Sequence, residues 1–104
     1  MVKAIEFSET GGPEVLKPVE HELPPPGAGE VRIKHTAIGL NFIDTYHRSG
    51  LYPVALPCVP GLEAAGIIDK LGEGVVGFKR GDRVAYGRGP RGAYAEARNI
   101  RAVE

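Results

Sequence analysis

Fifteen glycines and nine prolines take up nearly a quarter of the 104 residues, about twice the usual share of the two together. In a helix interior glycine costs about 1 kcal/mol and proline about 3 kcal/mol relative to alanine, and proline also removes a backbone donor. That density argues against a helical bundle or a coiled coil. It leaves a chain of short strands joined by turns. Disorder is argued against by Val, Ile, Leu, Phe and Ala recurring between the turn residues, within a hydrophobic share of 42%. The length suits one domain burying roughly two-thirds of its unfolded surface.

Thirteen Lys and Arg balance thirteen Asp and Glu, so no net field draws the chain to nucleic acid or anionic lipid. The charges are unevenly placed. Residues 1–30 carry six acids against Lys3 and Lys17, and residues 79–101 carry seven bases against Asp82 and Glu96. Two solvated faces explain this split; an anion-binding or nucleic-acid surface is the alternative, with only Tyr86 and Tyr94 interleaved in the basic stretch. One cysteine, Cys58, precludes a disulfide framework and any multi-cysteine metal site on the chain. No apolar run approaches the roughly 18 residues of a membrane span, and acidic residues interrupt the start of the chain where a signal peptide needs an apolar stretch. A cytoplasmic protein is expected.

Strands are expected at Val2–Phe7, Val15–Leu23, Glu30–Leu40, Gly61–Leu71, Asp82–Tyr86 and Gly92–Ala97. In the third, Val31, Ile33, His35 and Ala37 alternate with Arg32, Lys34 and Thr36, which puts the first set on a core face. Ala64, Ala65 and Gly66 mark a place where another backbone approaches closely. Asn41–Ser49 supports one or two helical turns, with Asn41 as N-cap and Gly50 as the stop. Leu51–Pro60, with three prolines, is an extended rigid loop. Several short strands with frequent turns give a small β-barrel or sandwich.

Gly72-Glu73-Gly74-Val75-Val76-Gly77 has the spacing of a dinucleotide-binding loop. That loop works only where a strand feeds a helix whose N-terminus meets the pyrophosphate. Phe78-Lys79-Arg80-Gly81-Asp82 opens a strand instead, so the run reads as a surface turn. Gly87–Gly92, with Arg88 and Arg91, reads as a hairpin connection before an anion site. His35 is expected in the core, His47 toward solvent, and Cys58 as a structural thiol. The densest polar group is Asn41, Asp44, Thr45 and Tyr46 at a helix start, beside the stiff loop carrying Tyr52. Either an ordinary capped turn or a ligand site fits these residues.

The chain resembles the N-terminal GroES-like catalytic domain of the medium-chain dehydrogenases/reductases, and among them the zinc-independent NADPH:quinone oxidoreductases that include zeta-crystallin. The resemblance is carried by Gly11-Gly12-Pro13-Glu14-Val15-Leu16, by Ala37-Ile38-Gly39-Leu40-Asn41-Phe42-Ile43-Asp44-Thr45-Tyr46, by Arg48-Ser49-Gly50-Leu51-Tyr52-Pro53, by Pro60-Gly61-Leu62-Glu63-Ala64-Ala65-Gly66 and by Gly81-Asp82-Arg83-Val84. It implies a mainly β, partly open GroES-like barrel with one or two short helical turns over residues 1–104. It implies hydride transfer from NADPH to a quinone or related conjugated carbonyl. Asn41, Phe42, Ile43, Asp44, Thr45 and Tyr46 would line the nicotinamide end of the cofactor, and Asn41, Tyr46 and Tyr52 would meet the acceptor. Asp44 would orient its neighbours, and Glu63 would be a structural acid beneath the same loop.

The zinc-dependent relatives place a cysteine ligand where this chain has Asn41 and a histidine ligand where it has Leu62. An amide and an aliphatic side chain cannot replace a thiolate and an imidazole, so no metal is expected. The resemblance further implies a following Rossmann domain that binds most of the NADPH, a homodimeric parent enzyme, and no activity from these 104 residues alone. A non-enzymatic GroES-like binding module and a small nucleic-acid-binding barrel are the alternatives.

Overall fold

The structure, a computed structural model, describes residues 2–87 and 90–102. Along these the order is β1 (Val2–Glu6), a 3-10 turn (Pro13–Val15), β2 (Lys17–His21), β3 (Glu30–Ile38), α1 (Phe42–Ser49), β4 (Ala64–Leu71), β5 (Arg83–Tyr86) and β6 (Ala97–Arg101). β1 and β2 form an antiparallel ribbon, and the larger sheet runs β5-β4-β3-β6, with every neighbouring pair antiparallel. The two sheets do not close on each other, which gives the mainly β, partly open GroES-like barrel.

β3 is the centre of the large sheet because its alternation holds where it matters. Val31 and Ile33 are buried and pack with Ile100 of β6, flanked by Val75, Val84 and Tyr86. The alternation fails at its end. Ala37, expected on the core face, is exposed. A register shift between His35 and Ala37 against β4 breaks the period of two, as an inserted residue at a bulge does. β6 pairs only with Glu30–Lys34, and a different segment continues the work. The His35 N–H donates to the Glu96 carbonyl at 2.8 Å, the Glu96 N–H to the Lys3 carbonyl at 2.8 Å, and the Ile5 N–H to the Tyr94 carbonyl at 2.9 Å. Residues 94–96 thus stitch the ribbon to the sheet.

The strand expected at Gly92–Ala97 is therefore not formed, and the regular strand starts where that one was to end, at Ala97. Gly92 has φ 135°, and the Ala95 N–H turns back to the Ala93 carbonyl at 2.7 Å. The amides and carbonyls here serve several elements rather than one ladder. A second small core is formed by Phe7, Val15 and Cys58, with Leu16 and Val54 against them. Phe7 and Cys58 exchange both backbone hydrogen bonds at 2.9 Å, which ties the proline loop to the end of β1.

β4 begins at Ala64 rather than Gly61, because Gly61 has φ +103° and sits against the Tyr94 ring. The expected close approach is at Gly66, where an added Cβ would run into the Lys34 carbonyl and the Ile33 side chain. The glycine-rich run 72–77 is a solvent-facing turn leading to β5, with Gly74 and Gly77 at φ +81° and +87°. Gly66→Ala is expected to destabilise the fold by about 1–3 kcal/mol through overpacking against β3. A urea titration checks this as a lowered midpoint at unchanged slope.

Candidate active site

β3 leads directly into α1, and the polar residues at that junction hold the helix start. The Gly39 N–H donates to the Glu63 carbonyl at 3.1 Å, after which Asn41, in extended conformation, caps the helix. The Asp44 carboxylate reaches back and accepts the Asn41 N–H at 3.1 Å, satisfying a donor that the first helical turn leaves open. An acid in the first turn also suits the positive end of the helix dipole. Gly50 ends the helix in the left-handed region at φ 90°. Arg48 fastens that end, its Nε donating to the Gly11 carbonyl at 3.2 Å while its own carbonyl accepts the Gly11 N–H at 3.0 Å.

The two faces of α1 do different things. On the inner face Asp44 is 5% and His47 6% exposed. The same Asp44 oxygen that takes the Asn41 N–H also accepts the Tyr94 hydroxyl at 2.8 Å. Asp44 Oδ1 and His47 Nδ1 are buried without a hydrogen-bond partner among the described residues. His47 was expected toward solvent and is instead packed inward: it follows Asp44 by three residues, which puts both on one helical face. Burial, helped by the Arg91 charge, holds the His47 pKa below its ordinary value against the pull of Asp44. Burial, and then the Asp44 carboxylate, raises the Tyr94 pKa, so Tyr94 stays a protonated donor.

The outer face carries the aromatic side chains. Phe42 is 81% and Leu40 80% exposed, and Tyr46 and Tyr52 meet edge to face with ring centroids 5.4 Å apart. The pair is set by backbone, since the Tyr52 N–H donates to the Tyr46 carbonyl at 3.2 Å. Neither phenol has a hydrogen-bond partner among the described residues. Thr45 is spent on the helix, its hydroxyl donating to the Phe42 carbonyl at 2.6 Å. Ile43 is half-buried. Of the expected site residues, then, Phe42, Tyr46 and Tyr52 face outward together, Asn41 stands at their edge, and Asp44 is turned inward as their support. Beside the junction runs an apolar groove of about 550 Å³, lined by Ala37, Ile38, Leu40, Ile5 and Tyr94 among others.

Sequence reasoning missed Tyr94. The signal was present, since a tyrosine between alanines in a glycine-bounded stretch has a hydroxyl to satisfy, but nothing in sequence order pointed it at Asp44. A second network crosses the sheet. His35 Nδ1 lies 2.8 Å from the Ala95 carbonyl, so it carries the proton, and Nε2 accepts the Tyr86 hydroxyl at 2.9 Å. Arg98 donates to the Tyr86 oxygen at 3.4 Å and to the carbonyls of Pro90 and Arg91 at 3.0 Å. This basic residue is therefore spent on backbone rather than offered to an anion. Arg88, in the basic loop, lies outside the described residues. Burial raises the Cys58 thiol pKa, in keeping with a structural role. Glu63 lies against Gly39, where a Cβ would meet its carboxylate. Among the described residues no group of three or more His, Cys, Asp or Glu converges as a metal site, and no helix is long and apolar enough to cross a membrane.

Residues 27–102 match the alcohol dehydrogenase GroES-like domain family. The chain belongs to this family. It is 55% identical over 97 residues to the quinone oxidoreductase of Pseudomonas aeruginosa, covering 92% of the chain and 30% of that protein. It is 52% identical over 101 residues to quinone oxidoreductase 1 of Escherichia coli, covering 96% of the chain and 31% of that protein. The solved structure of Escherichia coli quinone oxidoreductase complexed with NADPH superposes with a TM-score of 0.93 at 51% identity, over 96% of this chain and 31% of that one. The chain thus spans about 30% of the length of the relatives it matches.

Half-buried His35 and buried His47 are expected to contribute to the domain's response to acid. Burial, and secondarily the Arg98 charge, holds the His35 pKa below 6.5, as burial does for His47. Both are neutral in the folded protein where the unfolded chain binds protons. Their contribution to stability is complete above about pH 6.5 and is lost as pH falls through that value toward the folded pKa values. The urea midpoint is expected to be lower at pH 5 than at pH 7.5, and the difference to shrink in His35→Gln. An equal difference in both proteins would assign the acid response to other groups.

Proposed function

We propose that this chain is the catalytic-domain portion of a zinc-independent oxidoreductase that passes a hydride from NADPH to quinones or related conjugated carbonyls. The observation that carries the reading is the outward pair Tyr46 and Tyr52, neither phenol having a hydrogen-bond partner among the described residues, with exposed Phe42 and Leu40 at the start of α1, in a chain about half identical to quinone oxidoreductases over nearly its whole length. A flat acceptor needs apolar walls and a donor at its oxygen. Phe42 and the Tyr52 ring supply walls, and the Tyr46 hydroxyl and the Asn41 amide supply donors that stabilise developing negative charge. The same surface, apolar with an amide at its edge, fits the nicotinamide end of NADPH, along Asn41 to Thr45. NADPH, when bound, supplies the hydride; this chain's share is to hold the two flat rings against each other and keep water out. Asp44 supports the wall from behind.

No metal is assigned a role, because the side chains at positions 41 and 62 are an amide and an aliphatic group, a donor set unsuited to zinc. In this reading a Rossmann domain elsewhere in the protein binds most of the cofactor, the complete enzyme is a cytoplasmic homodimer, and nucleic acid and membranes are not partners.

The protein expressed from its complete gene is expected to oxidise NADPH when a simple benzoquinone is added, including after dialysis against a chelator. Absence of quinone-dependent oxidation would refute the reading. Tyr52→Ala is expected to lower kcat/KM for the quinone on the order of tenfold, since a stacked aromatic wall contributes about 0.5–1.5 kcal/mol beyond its buried area. KM for NADPH should stay nearly unchanged. Recovery in Tyr52→Phe assigns the effect to the ring, and no recovery assigns it to the hydroxyl.

A further inference from the structure

We infer that Tyr94 is a positioning residue for the candidate active site, acting through Asp44 on the first turn of α1. The inference rests on the function proposed above and deepens it. One carboxylate oxygen, in a side chain only 5% exposed, accepts both the Asn41 N–H at 3.1 Å and the Tyr94 hydroxyl at 2.8 Å. The other oxygen has no partner among the described residues. A buried carboxylate this sparsely satisfied depends on each donor it has. Without the Tyr94 hydroxyl, the Asn41 N–H is its one remaining hydrogen bond among the described residues, and the carboxylate gains by swinging toward solvent, which releases the helix start. Asn41, Phe42 and Tyr46 then lose their fixed direction.

Tyr94 is itself built to hold position. Its N–H donates to the Pro60 carbonyl at 3.0 Å and its carbonyl accepts the Ile5 N–H at 2.9 Å. Its ring lies against Gly61, so closely that a Cβ there would overlap it. Two separate parts of the chain thus fix the tyrosine, and its hydroxyl passes that rigidity to the helix. The arrangement meets the general need of a site: outward-facing groups held by a supporting shell whose own positions are locked.

The test is Tyr94→Phe, which keeps the ring against Gly61 and removes the hydroxyl, made in the protein expressed from its complete gene. Two readouts are taken at a temperature well below unfolding. In benzoquinone reduction kcat is expected to fall on the order of fivefold, as the loss of one such hydrogen bond predicts, with KM for NADPH unchanged. In amide hydrogen exchange the amides of Asn41 to Asp44 should exchange several-fold faster while those of β3 and β4 do not change. Because both residues act through one bond, Tyr94→Phe should add nothing further to Asp44→Ala, which leaves the hydroxyl no acceptor, in the double variant. Faster exchange with an unchanged kcat in an active enzyme overturns the positioning role and leaves a structural brace. Unchanged exchange overturns the brace itself. If the wild-type protein reduces no quinone, the proposed activity fails. The exchange experiment then still decides whether Tyr94 holds the helix start.

Discussion

β3 pairs with β4 along nearly its whole length but with β6 only over its first half, so that edge must find another partner over its second. This constraint shapes the domain, because a backbone group left unpaired away from water costs as much as a lost hydrogen bond. From Glu30 to Lys34 the partners are β4 and β6. At His35 the partner on one edge becomes Glu96, in a segment that belongs to no regular strand. There the strand bulges, its side chains turn outward, and the chain is delivered to Gly39 and the start of α1. The candidate site thus sits where the ladder stops being regular.

Two polar networks secure that transition. One crosses the sheet from the Ala95 carbonyl through His35 and Tyr86 to Arg98, which in turn holds the Pro90 and Arg91 carbonyls. The other runs from Tyr94 through Asp44 to Asn41. Both start in residues 94–95, so one short irregular segment supports the sheet on one side and the helix on the other. The outer face of α1 is then free to carry aromatic side chains that the domain itself leaves largely uncovered. Exposed groups such as Leu40 and Phe42 add nothing to this domain's core, and in the function proposed above they face a flat ligand.

Much of this was legible in residue order. Glycine and proline frequency pointed to strands and turns; the period of two in Glu30–Lys34 identified the core strand; Asn41, Asp44 and Gly50 bounded the helix. The misses share one cause. Ala37 lies past a bulge, and a bulge has no local signature in an alternating run. His47 was judged by its place on a short helix, whereas its burial depends on what packs beneath that helix. The strand expected at Gly92–Ala97 had suitable residues, but its amides were claimed by Lys3, Pro60 and Gly61 carbonyls from other parts of the chain.

By itself the sequence determined the element types, the helix caps, the absence of thiolate and imidazole at positions 41 and 62, and the family. These follow from local backbone preference and from side-chain chemistry, which do not wait for the fold. Only the tertiary structure decided that Tyr46 and Tyr52 meet edge to face, that Asp44 turns inward, and that Tyr94, fifty residues away, completes its hydrogen bonding. Such pairings depend on which buried polar groups find one another once the chain is compact, and sequence separation carries no information about that.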